Sequence, residues 1–182
     1  MGRCKALLPL QDGTPFVVQL ARVFLAGGLA PVVITIPDND DADPVRRALQ
    51  DLPVLAVPNE APELGLTGSV QTALTLTAGA PECDGLLLTP VDAPFATVDV
   101  VEGLVRALAH GALAAVPVHH GTPGHPVAFA RALFARLLGC GPRGGPASLL
   151  QELGQDVVYL PCDDERITWD INAPQDLRHT RR

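Results

Sequence analysis

Gly85-Leu86-Leu87-Leu88-Thr89-Pro90-Val91-Asp92-Ala93-Pro94-Phe95 is the stretch on which the fold turns. Residues 85–89 hold an unbroken apolar run, Leu86-Leu87-Leu88, between a glycine and a Thr-Pro pair, too short for a helix, and so read as a strand buried on both faces. An aspartate follows in the next loop. In open α/β sheets, ligands bind beyond the C-terminal ends of the strands, where this loop lies. A carboxylate there suits Mg²⁺, a hard cation that prefers carboxylate and phosphate oxygens. A turn aspartate bonding nearby amides is the other reading, and the Asp-x-Pro spacing after a buried strand favours the first.

Working outward, strand-like and helix-like patterns alternate. Residues 15–26 run at helical period after Thr14-Pro15, a capping hydroxyl followed by proline, and stop at Gly27-Gly28. Residues 31–36 are a β-branched strand run; 44–51 read as a helix and 54–57 as a strand. Helices are expected at 69–78, 97–109, 130–138, 147–153 and 174–178, and strands at 112–118, 126–129 and 157–160. Thr97 or Asp99 caps the helix at 97–109. Strands and helices in alternation with short links predict one α/β domain over 1–182, Rossmann-like, with a mainly parallel sheet covered on both faces. The front of the chain is unusual: the first recognisable element is a helix, whereas such a sheet normally begins with a buried strand and a phosphate-binding turn.

Composition narrows the function. The 182 residues are 47% hydrophobic and 18% charged, a globular balance. A net charge of −7 argues against a broad nucleic-acid or anionic-membrane surface. No apolar run reaches the roughly 20 residues of a membrane span, and the start shows no signal-peptide pattern, so a cytoplasmic location is expected. Cys4, Cys83, Cys140 and Cys162 are widely spaced, as free thiols would be. Positive charge is nearly all arginine, and Lys5 is the only lysine.

Four further motifs carry candidate chemistry. In Met1-Gly2-Arg3-Cys4-Lys5, Gly2 allows close approach to a triphosphate, and Arg3 and Lys5 neutralise phosphate charge; a frayed basic terminus is the plain alternative. In Trp169-Asp170-Ile171-Asn172, Asp170 or Asn172 can complete a metal site with Asp92, or Asn172 can cap the next helix. Gly124-His125-Pro126 holds a histidine in a restricted loop suited to a substrate pocket, although a lone histidine more often serves structure. Asn59 and Gly68-Ser69 lie where helix-terminal amides can meet an anion or a base edge, with Ser69 as an ordinary N-cap the alternative.

Taken in order, these segments resemble the MobA-like nucleotidyltransferases, and among them the molybdenum cofactor cytidylyltransferases. That family opens with a strand and a turn of the form Leu-Ala-Ala-Gly-x-Ser-x-Arg-Met-Gly, then x-x-Lys and Leu-Leu-Pro. Met1-Gly2-Arg3-Cys4-Lys5-Ala6-Leu7-Leu8-Pro9 resembles its second half, and Gly13-Thr14-Pro15 the turn into the first helix. Asn59 with Gly68-Ser69 resembles the base-side loop, Val91-Asp92-Ala93-Pro94 the metal-binding segment and Gly124-His125-Pro126-Val127 the cytidylyltransferase pocket loop. Asp170-Ile171-Asn172-Ala173-Pro174-Gln175-Asp176-Leu177 resembles the closing motif. The family's late loop, Gly-Asp-x-Gly-Ala-Arg, here reads Gly141-Pro142-Arg143-Gly144-Gly145-Pro146, without its aspartate and its arginine.

The resemblance implies a fold of the nucleotide-diphospho-sugar transferase type lacking the first strand, with Met1 an internal methionine of a longer protein. Without the missing amide cradle, activity is expected to fall by orders of magnitude. It implies transfer of CMP from CTP to a phosphorylated acceptor, molybdopterin with bound molybdenum, releasing pyrophosphate; a molybdoenzyme would be a further partner. Gly2, Arg3, Lys5, Asn59, Gly68 and Ser69 would bind nucleotide; Lys5, Arg3 and Asp92 would be catalytic. Asp92, Asn172 and Asp170 would hold Mg²⁺, and Gly124, His125 and Pro126 would shape the acceptor pocket. The alternatives are a GTP-dependent or sugar-phosphate enzyme, or a truncated nucleotide-binding module without turnover. All of them require the loops at 92 and 170–172 to converge beside Lys5.

Overall fold

The computed structural model describes residues 4–77, 83–141, 144–172 and 176. The strands are β1 (Val33–Ile36), β2 (Leu55–Pro58), β3 (Gly85–Leu88), β4 (Ala114–His119), β5 (Thr122–Pro123), β6 (Val127–Ala130) and β7 (Val157–Pro161). The helices are α1 (Phe16–Ala26), α2 (Ala42–Leu49), α3 (Leu66–Thr77), α4 (Val98–Ala109), α5 (Phe134–Leu138) and α6 (Pro146–Leu153).

Side chains of a strand alternate between its faces, and here that alternation feeds two helical layers. Ala114 and Val116 of β4, Val127 and Phe129 of β6, and Leu86 and Leu88 of β3 pack with Val70 and Leu74 of α3, Leu137 of α5 and Leu149 of α6. The intervening Ala115, Ala128 and Leu87 meet Leu104 and Leu108 of α4 on the opposite face. On that second face α1 adds Leu20, Val23 and Phe24 against Val101 of α4 and Val32. Helices on both sides of the strands give the three-layer, Rossmann-like α/β arrangement expected from the sequence.

The sheet is divided. β1 and β2 form a parallel pair, and the other strands run β3-β6-β4-β5, with β7 parallel to β4. The mainly parallel reading needs one refinement. β6 runs antiparallel to both β3 and β4, and the β4–β5 hairpin is antiparallel as well. The link from β4 to β6 is too short for the dozen or more residues that a parallel crossover needs. Between β1 and β3 lies an apolar cleft of about 460 Å³, lined by both strands and by α1 and α3.

Two expected caps differ. Thr14 does not cap α1: Pro15 occupies the N-cap position with no side-chain bond, while the Thr14 amide donates to Asp12. Ser69 is not an N-cap, because α3 begins at Leu66 and the Ser69 amide already donates to the Gly65 carbonyl at 3.2 Å. Thr97 caps α4 as expected, accepting from the Val100 amide. The helix expected at 174–178 falls almost wholly outside the described residues.

Candidate active site

Lys5, Asp92 and Asn172 meet although they lie far apart in the chain. Lys5 Nζ donates to Asp92 Oδ2 and to Asn172 Oδ1, each at 2.9 Å. The Lys5 and Asp92 side chains are 33% and 24% exposed, so the pair is shielded yet open to a ligand. Asp92 reaches this point because β3 ends at Leu88 and a turn carries the chain on, closed by the Ala93 amide on the Pro90 carbonyl. Asn172 is brought alongside by backbone: the Ile171 amide donates to the Asp92 carbonyl at 2.7 Å, and Ile171 is buried with Leu8 and Phe16. The Asn172 amide in turn donates to the Asp176 carboxylate at 2.9 Å. Lys5 is held by its neighbours Cys4, Ala6 and Leu7, which pack against α1, Ile34 and Val91.

His125 faces the same region. The Gly124 amide donates to the Pro117 carbonyl and the His125 amide to the Ile167 carbonyl, strapping the loop to the segment that leads to Asp170. Gly124 is needed for this approach, since a Cβ would lie 2.5 Å from the Ile167 carbonyl oxygen. Burial holds the His125 pKa below the usual histidine value, with the nearby charges of Asp170 and Asp92 opposing that shift. Its Nδ1 is buried and has no hydrogen-bond partner among the described residues. Pro126 is fully buried. Asp170 is exposed and joins the cluster through its field at His125.

Asn59, Gly68 and Ser69 form a second cluster. Asn59 Nδ2 donates to Ser69 Oγ at 3.3 Å, and Asn59 Oδ1 accepts from the Ala61 amide. The Asn59 amide bonds to the Ile36 carbonyl, which fixes this loop at the C-terminal end of β1. A Cβ at Gly68 would collide with the Ala61 carbonyl, so the glycine serves close packing of the loop on α3. Ser69 and Asp92 border the same cleft. The expected contributions of Gly2 and Arg3 lie outside the described residues.

Two contributors escaped the sequence reading. Asp176 orients Asn172, a role that the Asn-x-x-x-Asp spacing could have suggested. The Trp169 and Phe95 rings meet edge to face at 5.7 Å, with the Arg166 guanidinium 6.0 Å from the Phe95 ring centre. Phe95 also packs with Ile171, the neighbour of both Asp170 and Asn172. Among the described residues no group of three His, Cys, Asp or Glu side chains is placed to hold a metal. The convergent oxygen donors are one carboxylate and one amide.

Solved structures share this fold. Rv0371c from Mycobacterium tuberculosis H37Rv superimposes with a TM-score of 0.79 at 22% identity, over 98% of this chain and 90% of its own. A manganese complex of the same protein gives 0.75 at 22% identity, over 98% and 92%. A nucleotidyl transferase from Methanothermobacter thermautotroptrophicus gives 0.77 at 19% identity, over 97% and 83%. Molybdopterin-guanine dinucleotide biosynthesis protein A from Archaeoglobus fulgidus gives 0.67 at 18% identity, over 98% and 89%. At such identities the likeness shows a shared fold. A search of curated proteins found no match. The sequence itself matches the MobA-like NTP transferase domain over residues 1–163, a span that holds Lys5, Asp92 and His125. With most of its length so matched, the chain belongs to the MobA-like NTP transferase family.

Proposed function

We propose that this nucleotidyltransferase moves CMP from CTP to a phosphorylated acceptor of the molybdopterin type, with a divalent cation, Mg²⁺, held by Asp92 and Asn172 and assisted by Asp170. The observation that carries the reading is the meeting of Lys5 Nζ with Asp92 Oδ2 and Asn172 Oδ1, each at 2.9 Å. Two hard oxygen donors already gather around one cation there, and Mg²⁺ commonly takes one or two protein oxygens and completes its shell with water and phosphate. The manganese complex of Rv0371c supports a divalent ion in a related fold. When bound, the ion would supply charge neutralisation at the α-phosphate and the attacking oxygen.

The chemistry left to the side chains is positioning and electrostatics. An acceptor phosphate oxygen forms a bond to the α-phosphorus, and the bond from that phosphorus to the bridging oxygen breaks, releasing pyrophosphate. The attacking oxygen is already anionic, so no side chain has to remove a proton. Lys5 stands beside Asp92 and Asn172, where its ammonium offsets charge spreading over the transferred group. Arg3 and Gly2 are proposed to act on the same phosphates, and Asn59, Gly68 and Ser69 to meet the nucleotide from the β1 side. Gly124, His125 and Pro126 would border the acceptor. A neutral His125 there can donate or accept one hydrogen bond, and its orphaned Nδ1 leaves that capacity free among the described residues.

Pyrophosphate release measured with CTP, GTP, ATP and UTP, with and without Mg²⁺ and acceptor, tests the proposal, with Asp92→Ala as control. Turnover with GTP alone would replace CTP and follow the name of the Archaeoglobus fulgidus protein. Tight CTP binding without pyrophosphate release in any mixture would favour a binding module, the reading to which the open cleft between β1 and β3 lends weight.

A further inference from the structure

Helix α3 is held from two flanks by polar side chains on adjacent stripes of its surface. Gln71 Nε2 donates to three backbone carbonyls where α5 ends, those of Leu137 at 3.4 Å, Leu138 at 3.0 Å and Cys140 at 2.9 Å. The last carbonyls of a helix have no partner within it, so this one side-chain amide closes the end of α5. One turn earlier on the same stripe, Thr67 Oγ1 donates to the Gly144 carbonyl at 3.3 Å. Thr67 and Gln71 thereby tie α3 to the chain at 137–140 and again at Gly144. The neighbouring stripe, roughly 100° around the helix, holds the loop that follows β2. Thr72 Oγ1 accepts from the Glu60 amide at 3.3 Å, and Ser69 Oγ from Asn59 Nδ2 at 3.3 Å. Among the described residues the buried polar side chains are Thr67 and Thr72, one for each flank. A buried hydroxyl costs stability unless its bond is made, and here both are made.

We propose that Gln71, with Thr67, is a positioning residue for the nucleotide: by tying α3 to the end of α5 and to Gly144, it sets where Gly68 and Ser69 stand beside Asn59. This rests on the reading of Asn59, Gly68 and Ser69 as nucleotide contacts. Gln71 spends its amide on the α5 carbonyls, so its effect on the nucleotide passes through the helix. The transmission is mechanical. The first turns of α3 have the Asn59 loop on one flank and the end of α5 on the other, and a close-packed helix shifts only where one flank yields. There is no slack on the Ala61 side, where the carbonyl lies against Gly68. Released from Gln71 and Thr67, the start of α3 moves away from Asn59, and the Asn59–Ser69 bond at 3.3 Å is the first to lengthen. A purely stabilising role would change the amount of folded protein and leave the affinity of that folded protein as it was.

Calorimetric titration of the parent chain and its variants with Mg²⁺-CTP, then with GTP, ATP and UTP, tests this. Gln71→Met keeps the length and helix propensity but donates nothing, and is expected to weaken nucleotide binding on the order of 10-fold at unchanged stoichiometry. Gln71→Lys restores N–H donors at a helix end that favours positive charge, and is expected to bind within about 3-fold of the parent. Thr67→Val, close in shape, is expected to weaken binding roughly 3-fold, and carries the test if Gln71→Met does not fold. In the transfer assay Gln71→Met should raise KM for the nucleotide and leave kcat within about 2-fold. A lower stoichiometry with unchanged Kd makes Gln71 a structural residue only and overturns the proposal. So does a Gln71→Lys chain that binds as weakly as Gln71→Met. A parent chain that binds none of the four nucleotides sinks the transferase reading and this inference with it. Parent binding that Gln71→Met and Thr67→Val leave unchanged sinks this inference alone.

Discussion

β4 and β1 are both short and mostly apolar, yet they end up in different surroundings. β4 is paired along both edges, by β6 and by β7, and its first four residues are buried. β1 is paired along one edge, and three of its four residues are only half-buried. Composition therefore sets the demand for burial, while pairing decides whether the demand is met. β4 and β6 of the larger sheet hold most of the fully buried strand residues, and the proposed chemistry lies at the seam, where Asp92 follows β3 and Lys5 bonds to it.

The largest effect expected is on the larger sheet. Phe129→Ala empties a fully buried site in β6 and should lower stability by about 3–5 kcal/mol in denaturant titration. A loss under about 1 kcal/mol would mean that the five-stranded half is not the stabilising one. Next comes the seam, where chemistry and stability should part company. Asp92→Ala is expected to lower kcat by roughly 10²–10³-fold, or about 2.7–4 kcal/mol of barrier. The same change should cost under about 1 kcal/mol of folding stability, because the Lys5 pair is partly solvated.

A matched pair sharpens the contrast between strands. Val116→Ala in β4 should cost about 2 kcal/mol and Val33→Ala in β1 about 1 kcal/mol, since only the first side chain is fully buried. Equal losses would erase the difference between the two halves. The smallest effect is pH-dependent. Burial depresses the His125 pKa, so the unfolded chain takes up this proton first as pH falls. The contribution of neutral His125 is fully present above the unfolded value of 6.5 and is lost as pH drops from there toward the lower folded value. His125→Gln should flatten the stability profile in that window, and an unchanged slope would assign it to other groups.

Much of this was readable in the residues. The leucine run at 86–88 announces a buried strand, and Asp92 stands immediately past it. The Thr97 cap follows from local chemistry, which spacing records well. Lys5 was legible only as an isolated lysine on a basic start. Its bonds span 87 and 167 residues of sequence, and no periodicity reports such closures. The antiparallel course of β6 was there to be read in the short link after β4, but alternation of element types masked it. Thr14 failed as a cap because α1 begins at Phe16, which puts Pro15 at the N-cap position and Thr14 one residue outside it. Ser69 was displaced from the cap because α3 starts about one turn earlier, and its hydroxyl oxygen accepts from Asn59 Nδ2 instead.

Having its only lysine bonded to Asp92 and Asn172 gives this protein a built-in reporter. An amine-reactive reagent meets one side-chain target, plus the terminal amine, and that target lies between the two oxygen donors. Mass spectrometry of the labelled chain then reads ligand occupancy directly, as protection of a single acylation site, without any radioactive or coupled assay.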